Sequence, residues 1–353
     1  MTATFEDNLS AVLHGANDLR MECRPIPTLN ATDVLVRVQC VGICGSDVHY
    51  WTHGGIGNRR VLTPMVLGHE SSGQVVQCGD KVMNLKIGDR VAIEPGQPCR
   101  RCQKCKIGRY NLCAEMRFAA TPPVHGTLTR YYAHPADLCH KLPQSLTFTD
   151  GTLVEPMSVA VHACRRADVS AGDDVLICGA GAIGLLTMAV AKVSGVSRIC
   201  ITDIDPNRLH RAKARGANGT ILIQKGDQAE TLTGIVSETF GGTLPRVTIE
   251  CTGVETSVQM AVQATDAGGT LVLVGLAAQN VQLPVLTAMR KELDIRTVFR
   301  YANCYPSAIS LIEIGQVSAA DLVTHRFSLE RTLDALETAA TGRDNACKVV
   351  IDL

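Results

Sequence analysis

The chain has 353 residues, too long for one compact core, so two domains are expected. Apolar residues make up 46% and charged residues 19%, the balance of an ordinary globular protein rather than a disordered or membrane-embedded one. Lys+Arg and Asp+Glu both number 34, so a net charge of zero offers no general attraction to nucleic acid or to anionic lipid.

The opening "MTATFEDN" lacks the basic flank and apolar core of a signal peptide. The most apolar run, "GTLVLVGLAA" at 269–278, is far short of the ~20 residues needed to cross a bilayer. A cytoplasmic location is therefore expected, where thiols stay reduced. The fifteen cysteines are odd in number and scattered, which argues against a disulfide framework and makes clustered cysteines candidate metal ligands.

The first 150 residues read as β-rich. "DVLVRVQCVGICG" and "GQVVQCGDKVMNLKIGDRVAIEPG" carry short β-branched runs broken by Gly-Asp and Pro turns. Next comes "PCRRCQKCKIGRYNLC", with Cys99, Cys102, Cys105 and Cys113 spaced C-x2-C-x2-C-x7-C. Four thiolates complete a tetrahedral zinc and leave no position for substrate, so this is read as a structural site. The last spacing and the missing proline set it apart from the ferredoxin run. A zinc-ribbon contact with nucleic acid is a poor fit, given the zero net charge.

From about 173 to 300 apolar strands alternate with helical segments: "DVLICGAG", "RICITDID", "TILI", "RVTIECTG", "TLVLVG" and "DIRTVFR". This alternation predicts a doubly wound parallel sheet with helices on both faces. Within it Gly179, Gly181 and Gly184 have G-x-G-x-x-G spacing directly after a strand and at the start of a helix. A helix N-terminus there presents free amides to a pyrophosphate. The next strand ends at Asp203, where a carboxylate bonds the adenosine ribose. That carboxylate would repel a 2′-phosphate, so NAD is expected and NADP disfavoured. The final fifty residues hold an amphipathic helix, "LERTLDALETAA", and a strand, "KVVIDL".

The chemistry must lie outside the closed four-cysteine site. "GICGSDVHY" offers Cys44 and "VLGHESSG" offers His69 and Glu70, three ligands with room left for an exchangeable group on a catalytic zinc. "LVEPMSVAVHAC" adds Glu155, a carboxylate in an apolar setting, where an unpartnered charge is costly.

These segments resemble the zinc-dependent medium-chain dehydrogenase/reductase superfamily and, within it, the sorbitol (polyol) dehydrogenases. "GICGSDVHYW", "PMVLGHE", "GDRVAIEPG", "EPMSVAVHACRRADV", "TIECTG", "VFRY" and "LVTHRF" carry the likeness, which spans essentially the whole chain. The resemblance implies a GroES-like catalytic domain at 1–157 with a structural zinc lobe at 99–113, a Rossmann NAD-binding domain at 158–296, and a segment at 297–353 that returns to the catalytic domain. It implies Cys44, His69 and Glu70 as the catalytic zinc shell. Glu155 holds the zinc water or a substrate hydroxyl, or ligates the metal in some states, and the choice between Glu70 and Glu155 stays open. Ser46 and His49 are placed for proton movement or for simple hydrogen bonding. Tyr50, Phe118, Arg300 and Tyr301 line the polyol site. Ile183, Asp203, Arg208, the segment Val274, Gly275, Leu276 and the segment Val298, Phe299, Arg300 match NAD-contacting positions. The implied reaction is oxidation of a polyol to a ketose, sorbitol to fructose or xylitol to xylulose, by a zinc-activated hydroxyl and hydride transfer to nicotinamide. The implied partners are that small molecule and three further copies in a homotetramer, with no nucleic acid and no membrane. Xylitol or L-arabinitol oxidation as the main activity, and a non-catalytic homologue that binds NAD and zinc, are the alternatives.

Overall fold

A computed structural model describes residues 7–276, 280–315 and 322–353. The chain divides into two compact units, one formed by Met1–Glu155 with Tyr305–Leu353 and the other by Pro156–Cys304.

The first unit is built around the strand Asp33–Gly42, whose β-branched run is buried along most of its length. It pairs antiparallel with Glu70–Cys78, with Tyr131–Pro135 and with the C-terminal strand Lys348–Asp352, within a seven-stranded sheet. The C-terminal strand in turn pairs in parallel with Val323–Ser328. Val12, Val36, Val38, Leu67, Ile93, Leu128 and Ile351 are among the side chains of its core. The expected C-terminal helix runs over Thr332–Thr341. Its first residues, Leu329–Arg331, form a 3₁₀ turn instead.

Register places chemistry here. Gly42 lies opposite Glu70 on one side and Val350 on the other, so the beginning of the last strand is brought beside the beginning of Glu70–Cys78. A Cβ on Gly42 would stand 2.3 Å from Glu70 Oε2, so only glycine leaves that carboxylate its place.

The second unit is a six-stranded parallel sheet in the order Gly219–Leu222, Arg198–Asp203, Asp174–Cys178, Val247–Glu250, Thr270–Leu273, Asp294–Thr297. The order reverses between Asp174–Cys178 and Val247–Glu250. That is the switch point of a doubly wound fold, where ligands lie beyond the carboxyl ends of the strands.

The divisions fall at 155/156 and 304/305, where 157/158 and 296/297 were expected. The first lies inside the helix Phe148–Arg166, so no change of composition marks it. At the second, residues 297–304 stay with the parallel sheet: the Val298 amide donates to Leu273 O at 3.0 Å and Arg165 Nη1 donates to Asn303 O at 2.9 Å. The strand expected over 294–300 stops at Thr297, and Arg300 beyond it lies in the left-handed region at φ +54°.

Candidate active site

Cys44 precedes the helix Gly45–His53, and Asp47 lies in its first turn. Asp47 is fully buried, and each carboxylate oxygen accepts a main-chain amide at 3.0 Å, Oδ2 from Cys44 and Oδ1 from Gly68. Oδ1 also stands 3.5 Å from His69 Nδ1, which leaves Nε2 for a metal. One carboxylate thus fixes the two loops that carry Cys44 and His69. The ligand atoms of Cys44, His69 and Glu70 lie within 4.8 Å of one another. Glu155, 6% exposed on the helix Phe148–Arg166, does not join that group. Burial opposes a charge on His69, but Asp47 and Cys44 beside it hold the imidazole well above its ordinary value.

Glu70 has a partner from the far end of the chain. Lys348 is 4% exposed and forms an ion pair with Glu70 Oε2, while its Nζ donates to Ile43 O at 3.1 Å. Burial pushes the ammonium down, but Glu70 and then Cys44 bring it back above its ordinary value, so it stays charged. Among the other expected residues, Tyr50 and Phe118 are buried, and the Phe118 ring lies 5.8 Å from that of His69. Ser46 is half-buried; His49 is exposed with its ring 5.5 Å from His53.

The four-cysteine set is nearer the surface. Its ligand atoms also lie within 4.8 Å of one another. The Sγ separations of 3.9 Å for Cys99–Cys105 and 3.5 Å for Cys102–Cys105 bracket the roughly 3.8 Å edge of a tetrahedron with Zn–S near 2.3 Å. Main-chain amides point at two of the sulfurs, Cys102 N at Cys99 Sγ (3.3 Å) and Cys99 N at Cys113 Sγ (3.4 Å), which suits thiolates. The lobe is tied down by Tyr110, whose hydroxyl donates to Glu94 Oε1 at 2.6 Å; His140 Nε2 bonds the other Glu94 oxygen at 2.8 Å.

In the second unit the glycine turn has the geometry of a phosphate cradle. Gly179 is left-handed at φ +98°, and a Cβ on Gly184 would meet Gly179 O at 1.8 Å. Gly181 precedes the helix Ala182–Val193, which carries Ile183. Asp203 is 7% exposed; its oxygens accept the Ala180 amide at 2.7 Å and the Asp205 amide at 2.9 Å. Arg208 stands 3.9 Å from Asp203 and 3.8 Å from Asp205, so this cation is already balanced by two carboxylates. Val274, Gly275 and Leu276 follow the strand Thr270–Leu273, and Val298, Phe299 and Arg300 follow Asp294–Thr297, both at the carboxyl edge. Tyr301 is buried, and the Arg300 guanidinium lies 4.8 Å over the Phe299 ring.

Comparison with known proteins accounts for both units. Residues 30–144 match the alcohol dehydrogenase GroES-like domain and residues 182–313 the zinc-binding dehydrogenase family. Sorbitol dehydrogenase of Mus musculus is 51% identical over 336 residues, covering 95% of this chain and 94% of that one. The chain belongs to the sorbitol dehydrogenase family. Among solved structures, an Escherichia coli oxidoreductase of unknown specificity superposes with a TM-score of 0.93 at 35% identity, covering 98% of this chain and 99% of its own. An Escherichia coli short chain alcohol dehydrogenase solved with NADH gives 0.89 at 28%, covering 98% and 99%.

For a zinc-dependent family the donor chemistry fits: four thiols in one set, and thiol, imidazole and carboxylate in the other. Three residues of this architecture escaped the sequence reading. Asp47 had a signal, an acid three positions after Cys44 at a helix start. Lys348 and Glu94 had none, since their partners are distant in sequence.

Proposed function

We propose that this protein oxidises polyols to ketoses with zinc and NAD. The observation that carries the reading is the trio Cys44, His69 and Glu70, the last two buried, with ligand atoms within 4.8 Å of one another, in a chain of the sorbitol dehydrogenase family. When bound, zinc supplies a Lewis acid that makes a hydroxyl proton easier to lose, and NAD accepts the hydride.

Cys44, His69 and Glu70 would hold the catalytic ion, with Glu70 rather than Glu155 as third ligand in the arrangement described. Asp47 keeps the His69 ring oriented, as carboxylates behind metal-bound histidines do. Lys348 offsets the charge of Glu70. Glu155 is assigned to orienting the reacting hydroxyl, and Ser46 and His49 to passing its proton to water. Tyr50, Phe118, Arg300 and Tyr301 are assigned to the rest of the polyol. Cys99, Cys102, Cys105 and Cys113 would hold a second, structural ion. Gly179, Gly181, Ile183, Gly184, Asp203, Arg208 and the segments 274–276 and 298–300 are assigned to NAD.

A homotetramer is proposed. The last strand of the parallel sheet, Asp294–Thr297, has one edge unpaired among the described residues, and Val285, Leu286, Met289 and Ile295 in the segments around it are exposed apolar side chains. A second copy covering them would remove that surface from water. Cytoplasmic location is also proposed, supported by fifteen free cysteines. No described helix is long and apolar enough to cross a membrane.

The test is NADH formation across a panel of pentitols and hexitols, with ethanol as the control. Polar groups built to bind substrate hydroxyls are left unpaired by ethanol, so kcat/KM for sorbitol or xylitol should exceed that for ethanol by about 10³ or more. Arg300→Ala should lower polyol efficiency more than monoalcohol efficiency. Equal efficiencies would overturn the polyol assignment, and no turnover with any alcohol would leave a non-catalytic homologue.

A further inference from the structure

Glu250 ends the strand Val247–Glu250 and is completely buried. A carboxylate in that position is costly unless its lone pairs are filled. Four donors fill them: the Thr252 and Gly253 amides at 2.9 and 2.8 Å, the Ser257 hydroxyl at 2.9 Å, and the Thr252 hydroxyl. Thr252 Oγ1 accepts the Val254 amide at 3.0 Å, which extends the control one residue further. The main-chain carbonyl of Glu250 accepts the Val274 and Gly275 amides at 2.8 and 3.1 Å. One residue therefore fixes two turns, 251–254 and 274–276.

The first of these turns is pressed between two glycines. A Cβ on Gly179 would stand 2.8 Å from Thr252 Cγ2, and a Cβ on Gly275 would stand 2.0 Å from the Gly253 nitrogen. The Cys251 amide donates to Cys178 O at 2.9 Å, joining the turn to the strand that leads into the glycine motif. All of this lies at the carboxyl edge of the sheet, beside the strand pair where the order reverses and dinucleotides bind. If filling space were the only need, an apolar side chain of similar volume would do so without the cost of burying a charge. What the carboxylate adds is direction: it aims the amides of residues 252 and 253 inward and holds the turn against Gly179 and Gly275.

We propose that Glu250 is a positioning residue for the dinucleotide, acting through the Thr252–Gly253 turn to hold the glycine motif and the 274–276 segment in the spacing that binds it. The inference rests on the NAD reading above. The test is a fluorescence titration of NADH onto the zinc-loaded full-length protein, wild type beside Glu250→Gln, Thr252→Val and the double variant, with thermal melting of each. Wild type should bind NADH. Glu250→Gln should weaken binding by about tenfold, a loss of ~1.4 kcal/mol. Thr252→Val should weaken it severalfold, and the double variant should be little worse than Glu250→Gln, because both act through one turn. The losses of NADH affinity should not follow the melting temperatures of the variants, as they would if the unit were merely loosened. Glu250→Gln binding NADH as wild type does, or additive losses in the double variant, would overturn the inference and leave the NAD reading standing. Wild type failing to bind NADH would overturn both. If Glu250→Gln does not fold, Thr252→Val and Ser257→Ala decide, and unchanged affinity in both would be against the proposal.

Discussion

The four-cysteine lobe and the Cys44/His69/Glu70 trio lie in the same unit and are built in opposite ways. The lobe takes every ligand from fifteen consecutive residues, Cys99 to Cys113, and three of its four cysteines are only half-buried. The trio draws on a helix start, a loop and a strand, and two of its three members are buried. The lobe gathers its four sulfurs around one point and turns its own main-chain amides toward two of them, with Tyr110 on Glu94 as its tie to the rest of the unit. The trio sets a carboxylate and an imidazole in the interior, so it needs Asp47 behind one and Lys348 behind the other. Closed local sites can be spelled out by a short stretch of sequence. A site that keeps a position free for chemistry needs charge compensation from the rest of the fold.

The largest test of this contrast is Cys44→Ser. Losing a thiolate from the trio should cost several kcal/mol of transition-state stabilisation, about 10³-fold or more in kcat, with the melting temperature nearly unchanged. Lys348→Met should come next. It leaves the buried Glu70 carboxylate without its cation, a loss of about 3–5 kcal/mol, read by chemical denaturation of the zinc-free protein. Lys348→Arg should recover part of it. Cys99→Ser should do the reverse of Cys44→Ser: zinc analysis should show one ion per chain lost and the melting temperature lowered, with kcat per folded chain kept, because a structural metal is coupled to folding. Asp47→Asn should weaken zinc at the trio by about 10–100-fold in a chelator competition and leave the four-cysteine ion in place. The smallest effect concerns the cofactor. NAD should be preferred over NADP by about tenfold, and Asp203→Ser with Ile204→Arg should narrow the gap. Because Asp203 also accepts two main-chain amides, the same change should cost about 1–3 kcal/mol of stability.

The local features were readable because their physics is local. Glycine spacing after a strand, thiol spacing in a loop and the alternation of apolar runs with helices each depend on neighbours a few residues apart. The pairing of Lys348 with Glu70 depends on the register of Asp33–Gly42 with its neighbours on either side, where Gly42 lies opposite both Glu70 and Val350. No periodicity encodes that. Glu250 stood in the quoted "TIECTG", but a carboxylate at a strand end gives no sign of how many amides will converge on it. Arg300 was placed at a strand end, and its left-handed backbone shows that the chain has already turned.

The pairing across the first unit also sets an order of events during synthesis. Lys348 follows Glu70 by 348 − 70 = 278 residues. At about 5–20 residues per second, a ribosome needs roughly a quarter of a minute to a minute to make that stretch. Throughout that interval Glu70 is without its cation and Asp33–Gly42 is without its C-terminal neighbour, while the parallel sheet of residues 156–304 is completed first. The first unit therefore cannot complete its sheet until the last strand has been made, after every residue of the second unit.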